Sequence, residues 1–237
     1  LGLPRNLKEE DVREIGAGLN EGAREYDAYV IGGDTNEASD LIISCSLLGF
    51  SSKERLVSRG GARPGDIVAV TGEFGKTSAG LKILLEGLSV PEKIGNSLKD
   101  AVLLPKARLN EGLALSRVGG VTSSIDSSDG LAWSLYELSD ASDVGFMIDD
   151  VPIAEEAVEF ARIYDLDPLE LSLYGGEEYE LIVTVQPEFW EKAKRAVSEA
   201  GGALMKIGTV TKEKKIELRI NGEARAIKRR GWEHFKM

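Results

Sequence analysis

Acidic residues flanked by glycine or serine recur along the chain, and most of these clusters lie at the ends of predicted strands. The clusters are Gly32-Gly33-Asp34-Thr35, Asp126-Ser127-Ser128-Asp129-Gly130, Asp149-Asp150 and Gly175-Gly176-Glu177-Glu178-Tyr179. A carboxylate beside a glycine offers a hard oxygen ligand on backbone that a bulky ligand can approach closely. In a chain with one His and one Cys, the pattern therefore predicts a site for magnesium and phosphate.

Charge and composition narrow the class of protein. A net charge of −11 argues against a nucleic-acid partner, which would require a basic face. A nucleotide substrate is itself an anion, and divalent cations would reverse the sign of the local field. No apolar run reaches the length of a membrane span, and no secretory segment opens the chain, so we expect a soluble, cytoplasmic protein. Cys45 lies in an apolar run and is predicted to be a small core residue.

Helical and strand patterns alternate along the sequence. Helices are predicted over 8–26, 77–86, 107–117, 131–141, 153–164 and 187–200, and strands over 29–31, 41–50, 67–70, 121–125, 146–148, 179–185 and 203–210. A polar connection is predicted at 91–100, and a hairpin at 215–227 across Asn221-Gly222. The pattern predicts an α/β or α+β sheet protein with its site at strand ends.

Three of the four clusters have a structural interpretation, beside or instead of a functional one. The glycines before Asp34 would let phosphate oxygens reach main-chain N–H groups, or they form an ordinary turn. Asp126 and Asp129 would share a cation, although Asp129 or Ser128 would also serve as a helix N-cap. Two acids and two hydroxyls at one junction exceed what a cap needs, which favours a functional role. Asp149-Asp150 precedes a proline turn and is interpreted as structural.

Three other features carry weaker signals. Arg59 stands beside Gly60-Gly61 and would clamp a phosphate, or it is a solvated surface arginine. The segment Gly72–Thr77 is not a P-loop, because Val70 occupies the place of the first glycine. Trp232 would stack on a flat ring or pack against the sheet, and His234 has no positioned nucleophile for a catalytic triad.

Several motifs together carry a resemblance to a known family. They are Ile31-Gly32-Gly33-Asp34-Thr35, Ser58-Arg59-Gly60-Gly61-Ala62-Arg63-Pro64-Gly65-Asp66, Ser128-Asp129-Gly130-Leu131, Gly175-Gly176-Glu177-Glu178-Tyr179-Glu180-Leu181 and Gly231-Trp232-Glu233-His234-Phe235. The set resembles the thiamine-monophosphate kinase family over essentially the whole chain. That family belongs to a superfamily with aminoimidazole ribonucleotide synthetase, selenophosphate synthetase and a hydrogenase maturation factor. Glu178 departs from the family pattern, which usually has Asp there.

The resemblance implies an activity and a set of roles. ATP would donate its γ-phosphoryl group directly to thiamine monophosphate, giving thiamine diphosphate, and no residue is expected to act as a covalent catalyst. The roles implied are Asp34, Asp126 and Asp129 as ligands of several Mg²⁺ ions, Gly33, Arg59 and Ser128 as ATP contacts, and Glu177 and Trp232 as thiamine contacts.

The resemblance also implies an organisation. We expect two α/β domains of the aminoimidazole ribonucleotide synthetase type, with residues 1–60 the remainder of an incomplete ATP- and magnesium-binding domain and residues 61–237 the second domain. The chain opens at Leu1 without methionine, so a further N-terminal segment is expected, whose strands would form a homodimer. A related synthetase and a non-catalytic nucleotide-binding relative remain as alternatives.

Overall fold

A computed structural model describes residues 1–232, and residues 233–237 lie outside the description. The chain divides into two compact units, Leu1–Ser51 and Ser52–Met237. The boundary that the sequence places after residue 60 stays a prediction for the functional domains.

The first unit contains one long helix and little paired backbone. Helix α1 (Glu9–Glu25) confirms the helix predicted over 8–26. Strands β1 (Gly2–Leu3) and β2 (Asn36–Glu37) form a short parallel ladder. Three acidic residues lie in the first turn of α1, where their negative charge interacts favourably with the positive end of the helix dipole.

The two strands predicted at 29–31 and 41–50 are wrong. Within the described residues, Ile42 makes one isolated bridge to Gly2, and the rest of both runs forms no ladder. Leu47 and Phe50 are 90% and 98% exposed, and Cys45, predicted to be in the core, is also exposed. Apolar residues form a strand only where a neighbouring strand supplies hydrogen bonds and packing, and this unit offers only the two-residue ladder.

The second unit is built on a seven-stranded mixed sheet. Its strands are β3 (Ile67–Val70), β4 (Val121–Asp126), β5 (Gly145–Ile148), β6 (Leu181–Val185), β7 (Met205–Thr211), β8 (Ile216–Ile220) and β9 (Glu223–Ala226). They lie in the order β4-β6-β3-β7-β5-β8-β9, and neighbours are antiparallel except for β5 with β8. Strand β4 therefore lies at one edge, with the Asp126 cluster at its end.

Helices cover both faces of this sheet. They are α2 (Lys76–Glu86), α3 (Glu92–Leu103), α4 (Leu109–Ser116), α5 (Leu131–Ser142), α6 (Glu155–Ile163), α7 (Pro168–Tyr174) and α8 (Trp190–Glu199). Ile182 packs in one core with Leu135 of α5, while its neighbour Val183 packs in another with Leu115 and Val197 of α4 and α8. This alternation is the two-residue period of a strand buried on both faces. Each fully buried aliphatic side chain contributes roughly 1.5–3 kcal/mol.

Most predicted elements of the second unit are confirmed to within a few residues, and two are corrected. The connection predicted at 91–100 is helix α3, which buries Gly95 and Leu98 against a third core formed with α2 and α6. Helix α7 was not predicted. The hairpin at Asn221-Gly222 is confirmed, with φ of 51° and 85° as a tight two-residue turn requires. None of the helices in the described part of the chain is long and apolar enough to cross a membrane.

Candidate active site

The Asp126 cluster joins edge strand β4 to helix α5 and is tied to the start of β6. The main-chain N–H of Ser127 donates to the carbonyl of Glu180 at 2.9 Å, and the N–H of Glu180 donates back to Ser127 Oγ at 3.1 Å. Ser127 is fully buried, whereas Asp126 and Asp129 are half-buried. The buried serine therefore fixes the junction while the two acids beside it remain accessible.

The two acids at this junction do not cap helix α5. The N-cap is Gly130, with φ of 107°, and no side chain bonds to the first turn. Within residues 1–232, no group donates a hydrogen bond or forms an ion pair with the carboxylate of Asp126 or Asp129. Hence the capping alternative is wrong, and both carboxylates keep their oxygens available to a ligand.

The loop Gly175–Tyr179 lies directly against this junction. The N–H of Glu177 donates to the carbonyl of Ser128 at 2.7 Å, and a Cβ at Gly176 would lie 2.6 Å from the same oxygen. Glu177 and Tyr179 adopt φ of 65° and 54°, a left-handed conformation that is costly for residues with side chains. Such strain persists only where surrounding contacts enforce it, and it is common at binding sites.

Three carboxylates act on Tyr179 through their charge. Burial, followed by the negative charges of Glu177, Asp126 and Asp129, raises the pKa of Tyr179. Carboxylates that share one region repel each other, so a cation there would be stabilised. Among residues 1–232, no three His, Cys, Asp or Glu side chains lie close enough to form a metal centre by themselves. Waters and phosphate oxygens would therefore complete the coordination of any ion held here.

The side-chain carboxylate of Glu178 lies at the N-terminus of helix α2. Its carboxylate accepts the N–H of Gly75 at 2.6 Å and the N–H of Thr77 at 3.3 Å. Burial raises the pKa of Glu178 to about 7 despite these bonds. A helix N-terminus favours an anion, and here a side chain of the protein itself occupies that position.

An ion pair between half-buried Arg108 and buried Glu180 supports the same loop. Glu180 accepts Arg108 Nε at 2.8 Å and Thr71 Oγ1 at 2.7 Å. The hydrogen bonds to Glu180 are the first cause of the raised pKa of Arg108, which also contacts Glu111. Because Glu180 bonds to Ser127 through its main chain, this pair anchors the loop and the acidic junction together.

A hollow of about 770 Å³ opens beside Glu177 and Trp232. Its walls are helices α2 and α7, the loop Gly175–Glu177 and the side chain of Trp232. Ligand pockets commonly have volumes of this order. The carboxylates of its described lining are those of Glu86, Asp165, Asp167, Glu170 and Glu177, against the single ammonium of Lys82. The hollow therefore favours a cationic ligand with an apolar body.

The residues predicted for ATP and magnesium are only partly brought together. Ser128 stands at the junction, whereas Arg59 is largely exposed, with its guanidinium 3.6 Å from Glu137 of α5. Gly33 and Asp34 belong to the first unit, in an exposed loop. Hydrogen bonds from Thr35 N–H and the Asn36 side chain lower the pKa of Asp34. The roles of these residues stay predictions.

Several residues around the candidate site were not predicted from the sequence. Helix α7 supplies Tyr174 and Glu170 to the hollow, and its start was marked by Asp167-Pro168, a capping acid followed by proline at the first helical position. Arg108 had no signal, because its partner Glu180 is distant in the sequence. Of the tail motif, Glu233, His234 and Phe235 lie outside the described residues.

Family models match both units of the chain. The one described as AIR synthase related protein, C-terminal domain, matches residues 63–221, and the corresponding N-terminal domain matches residues 1–51. Fold and site thus define an AIR synthase related protein, as the sequence predicts.

Comparison with individual relatives narrows this class. The chain is 36% identical to the thiamine-monophosphate kinase of Pyrococcus horikoshii and 34% identical to that of Pyrococcus abyssi. The two alignments include 100% and 99% of this chain, and they include 71% and 70% of the respective relatives. A solved structure described as AaThiL complexed with AMPPCP and TMP matches with a TM-score of 0.80 at 27% identity, over 99% of this chain and 71% of that one. The chain belongs to the thiamine-monophosphate kinase family.

Proposed function

We propose that the full-length protein transfers the γ-phosphoryl group of ATP to the phosphate of thiamine monophosphate, giving thiamine diphosphate and ADP. The observation that carries the proposal is the main-chain bond that joins the junction carrying Asp126 and Asp129 to the loop carrying Glu177, next to an acid-rimmed hollow. Relatives that share the whole chain are named for this activity, and a similar structure holds AMPPCP, an ATP analogue, together with TMP.

The thiamine moiety fits the chemistry of the hollow. Its thiazolium ring is permanently cationic and flat, so carboxylates such as Glu177 would offset its charge while Trp232 would offer an aromatic face. The substrate phosphate would then point toward the acidic junction, because Glu177 is bonded to Ser128 through the main chain. Two anionic phosphates would meet at that junction.

Several Mg²⁺ ions would be bound, with Asp126 and Asp129 as ligands, and Asp34 of the first unit is proposed separately as a magnesium ligand. The fit of Asp126 and Asp129 rests on donor chemistry, since their carboxylates accept no hydrogen bond from the described residues and Mg²⁺ prefers hard oxygen ligands. The ions would supply positive charge against the negative charge of the two phosphates. Ser128, Gly33 and Arg59 would contact ATP. With no nucleophile required, the residues act by in-line placement of donor and acceptor.

Release of ADP by the full-length protein tests the proposal. We expect ADP formation with ATP and magnesium to depend on added thiamine monophosphate, and thiamine itself to be inactive as an acceptor. ADP formation that does not depend on thiamine monophosphate but does depend on another acceptor would favour a related synthetase. Nucleotide binding without turnover would indicate a non-catalytic relative. The homodimer, to be tested by light scattering, and the cytoplasmic location stay proposals.

A further inference from the structure

The tail segment 228–232, called the strap below, runs between helices α5 and α7. It is anchored at its start by Ile227, a buried residue whose carbonyl accepts the hydroxyl of Tyr136 at 2.7 Å. At its end, the N–H of Trp232 donates to the carbonyl of Asp129 at 3.1 Å. The strap thus links the sheet to the acidic junction.

Two consecutive arginines of the strap bind opposite helices. The guanidinium of Arg229 lies 5.4 Å from the ring centre of Trp133 and 2.9 Å from Asp140, both on α5. That of Arg230 lies 3.9 Å from the ring centre of Tyr174 and pairs with Glu170, both on α7. The strap is therefore held from two sides.

Arg230 contacts residues that line the hollow, and Arg229 does not. Glu170 and Tyr174 both belong to the lining, as does Trp232 two residues beyond Arg230. A Cβ at Gly231 would collide with the carbonyl of Asp129, so the chain approaches the junction closely at that point. A shift of Arg230 would therefore be transmitted to Trp232 through a single, tightly packed glycine.

The Arg230 side chain is not placed for hydrogen bonding alone. Its Nε is buried without a hydrogen-bond partner among the described residues. Leaving a buried donor unpaired is costly, and native structures rarely keep one without a reason. Stacking on Tyr174 and pairing with Glu170 fix the guanidinium in a position that sacrifices this hydrogen bond.

We propose that Arg230 is a positioning residue that holds Trp232 at the mouth of the hollow through its contacts with Tyr174 and Glu170. The proposal rests on the function proposed above, in which the hollow receives thiamine monophosphate. Arg230 itself does not touch the substrate; it acts through Trp232.

Hydrogen exchange of the full-length protein without substrate tests the positioning directly. In Arg230→Ala we expect the Trp232 amide to exchange about tenfold faster, because its bond to Asp129 opens more often, while the amide of Val183 in β6 is unchanged. Arg225→Ala is the matched control, since Arg225 is exposed on β9 and pairs only with exposed Glu223 among the described residues. Arg230→Lys, which keeps the charge but stacks poorly, should show part of the effect and serves if the alanine variant unfolds.

Calorimetric binding of thiamine monophosphate supplies the second measurement. Arg230→Ala should weaken binding about tenfold, with ATP binding unchanged, and should have no further effect when Trp232→Ala is already present. Unchanged exchange at Trp232, or additive losses in the double variant, would overturn the positioning role while leaving the proposed function intact. Failure of the unaltered protein to bind thiamine monophosphate would overturn both.

Discussion

The main-chain N–H of Glu177 donates to the main-chain carbonyl of Ser128 at 2.7 Å. This bond joins two motifs that are distant in sequence, one carrying the acids at the end of β4 and the other carrying the loop before β6. The acidic junction and the border of the hollow therefore have a fixed spacing. That spacing is what a reaction between two bound phosphates requires.

Gly176→Ala should disturb this spacing. The new Cβ would lie 2.6 Å from the Ser128 carbonyl, so the loop must move, at a cost of about 1–3 kcal/mol in the free energy of unfolding. Urea unfolding should show a lower free energy of unfolding, and the KM for thiamine monophosphate should rise. Gly18→Ala in α1 is the control; nothing lies near its Cβ, so it should stabilise by about 0.5–1 kcal/mol. Equal effects of the two substitutions would argue against a close fit at Gly176.

Asp126→Asn and Asp129→Asn should each reduce kcat by at least about 100-fold in the full-length protein. Each removes a proposed magnesium ligand but also relieves repulsion among the carboxylates around Tyr179. We therefore expect the melting temperature to be unchanged or higher in both variants. Near-normal turnover in both would refute the metal assignment, and a large loss of stability would show that the acids serve the fold instead.

Glu178 makes stability depend on pH. Burial raises its pKa to about 7 in the folded state from a usual 4.5, so the folded protein binds more protons than the unfolded chain between these values. The contribution of Glu178 is complete below about 4.5 and is lost as the pH rises through about 7. Glu178→Gln should abolish this part of the decline, as measured by urea unfolding from pH 4 to 8. An identical slope in the variant and the unaltered protein would contradict the raised pKa.

The ion pair of Arg108 with Glu180 should matter for stability far more than an exposed pair. Arg108→Ala leaves Glu180, of which 7% of the side chain is exposed, without its main partner and should cost about 3 kcal/mol. Arg162→Ala removes a solvent-screened pair with Glu159 and should leave stability nearly unchanged. Similar losses in the two variants would show that Glu180 reaches another partner or solvent when Arg108 is removed.

Local patterns predicted the second unit well because its elements follow local rules. Ile67–Val70 is β-branched and apolar, and Asn221-Gly222 suits a tight turn, so both were predicted with nearly the bounds observed. The segment 41–50 failed because its strand propensity needs partners, and Leu47 and Phe50 have none to pack on among the described residues of their unit. An apolar segment can form a strand, but it does so only where a neighbouring strand pairs with it.

The residues of the candidate site also fall into two groups, those predicted from local motifs and those that depend on contacts made by the fold. Asp126, Asp129 and Glu177 were predicted as site residues because their glycine- and serine-flanked motifs are visible in a linear sequence. The contributions of Arg108 and Arg230 were not, because each depends on a partner brought near by the fold, Glu180 in one case and Tyr174 in the other. Long-range ion pairs and ring contacts leave no periodic trace in a single sequence.

Phosphorus NMR of a reaction mixture follows the proposed phosphoryl transfer itself. The full-length protein is incubated with ATP, magnesium and thiamine monophosphate, and the phosphorus resonances of substrates and products are followed together. We expect the two phosphorus signals of thiamine diphosphate to grow in step with those of ADP, one molecule of each per ATP consumed, and we expect Asp129→Asn to abolish both. Inorganic phosphate in place of thiamine diphosphate, or no consumption of thiamine monophosphate, would contradict the proposed transfer.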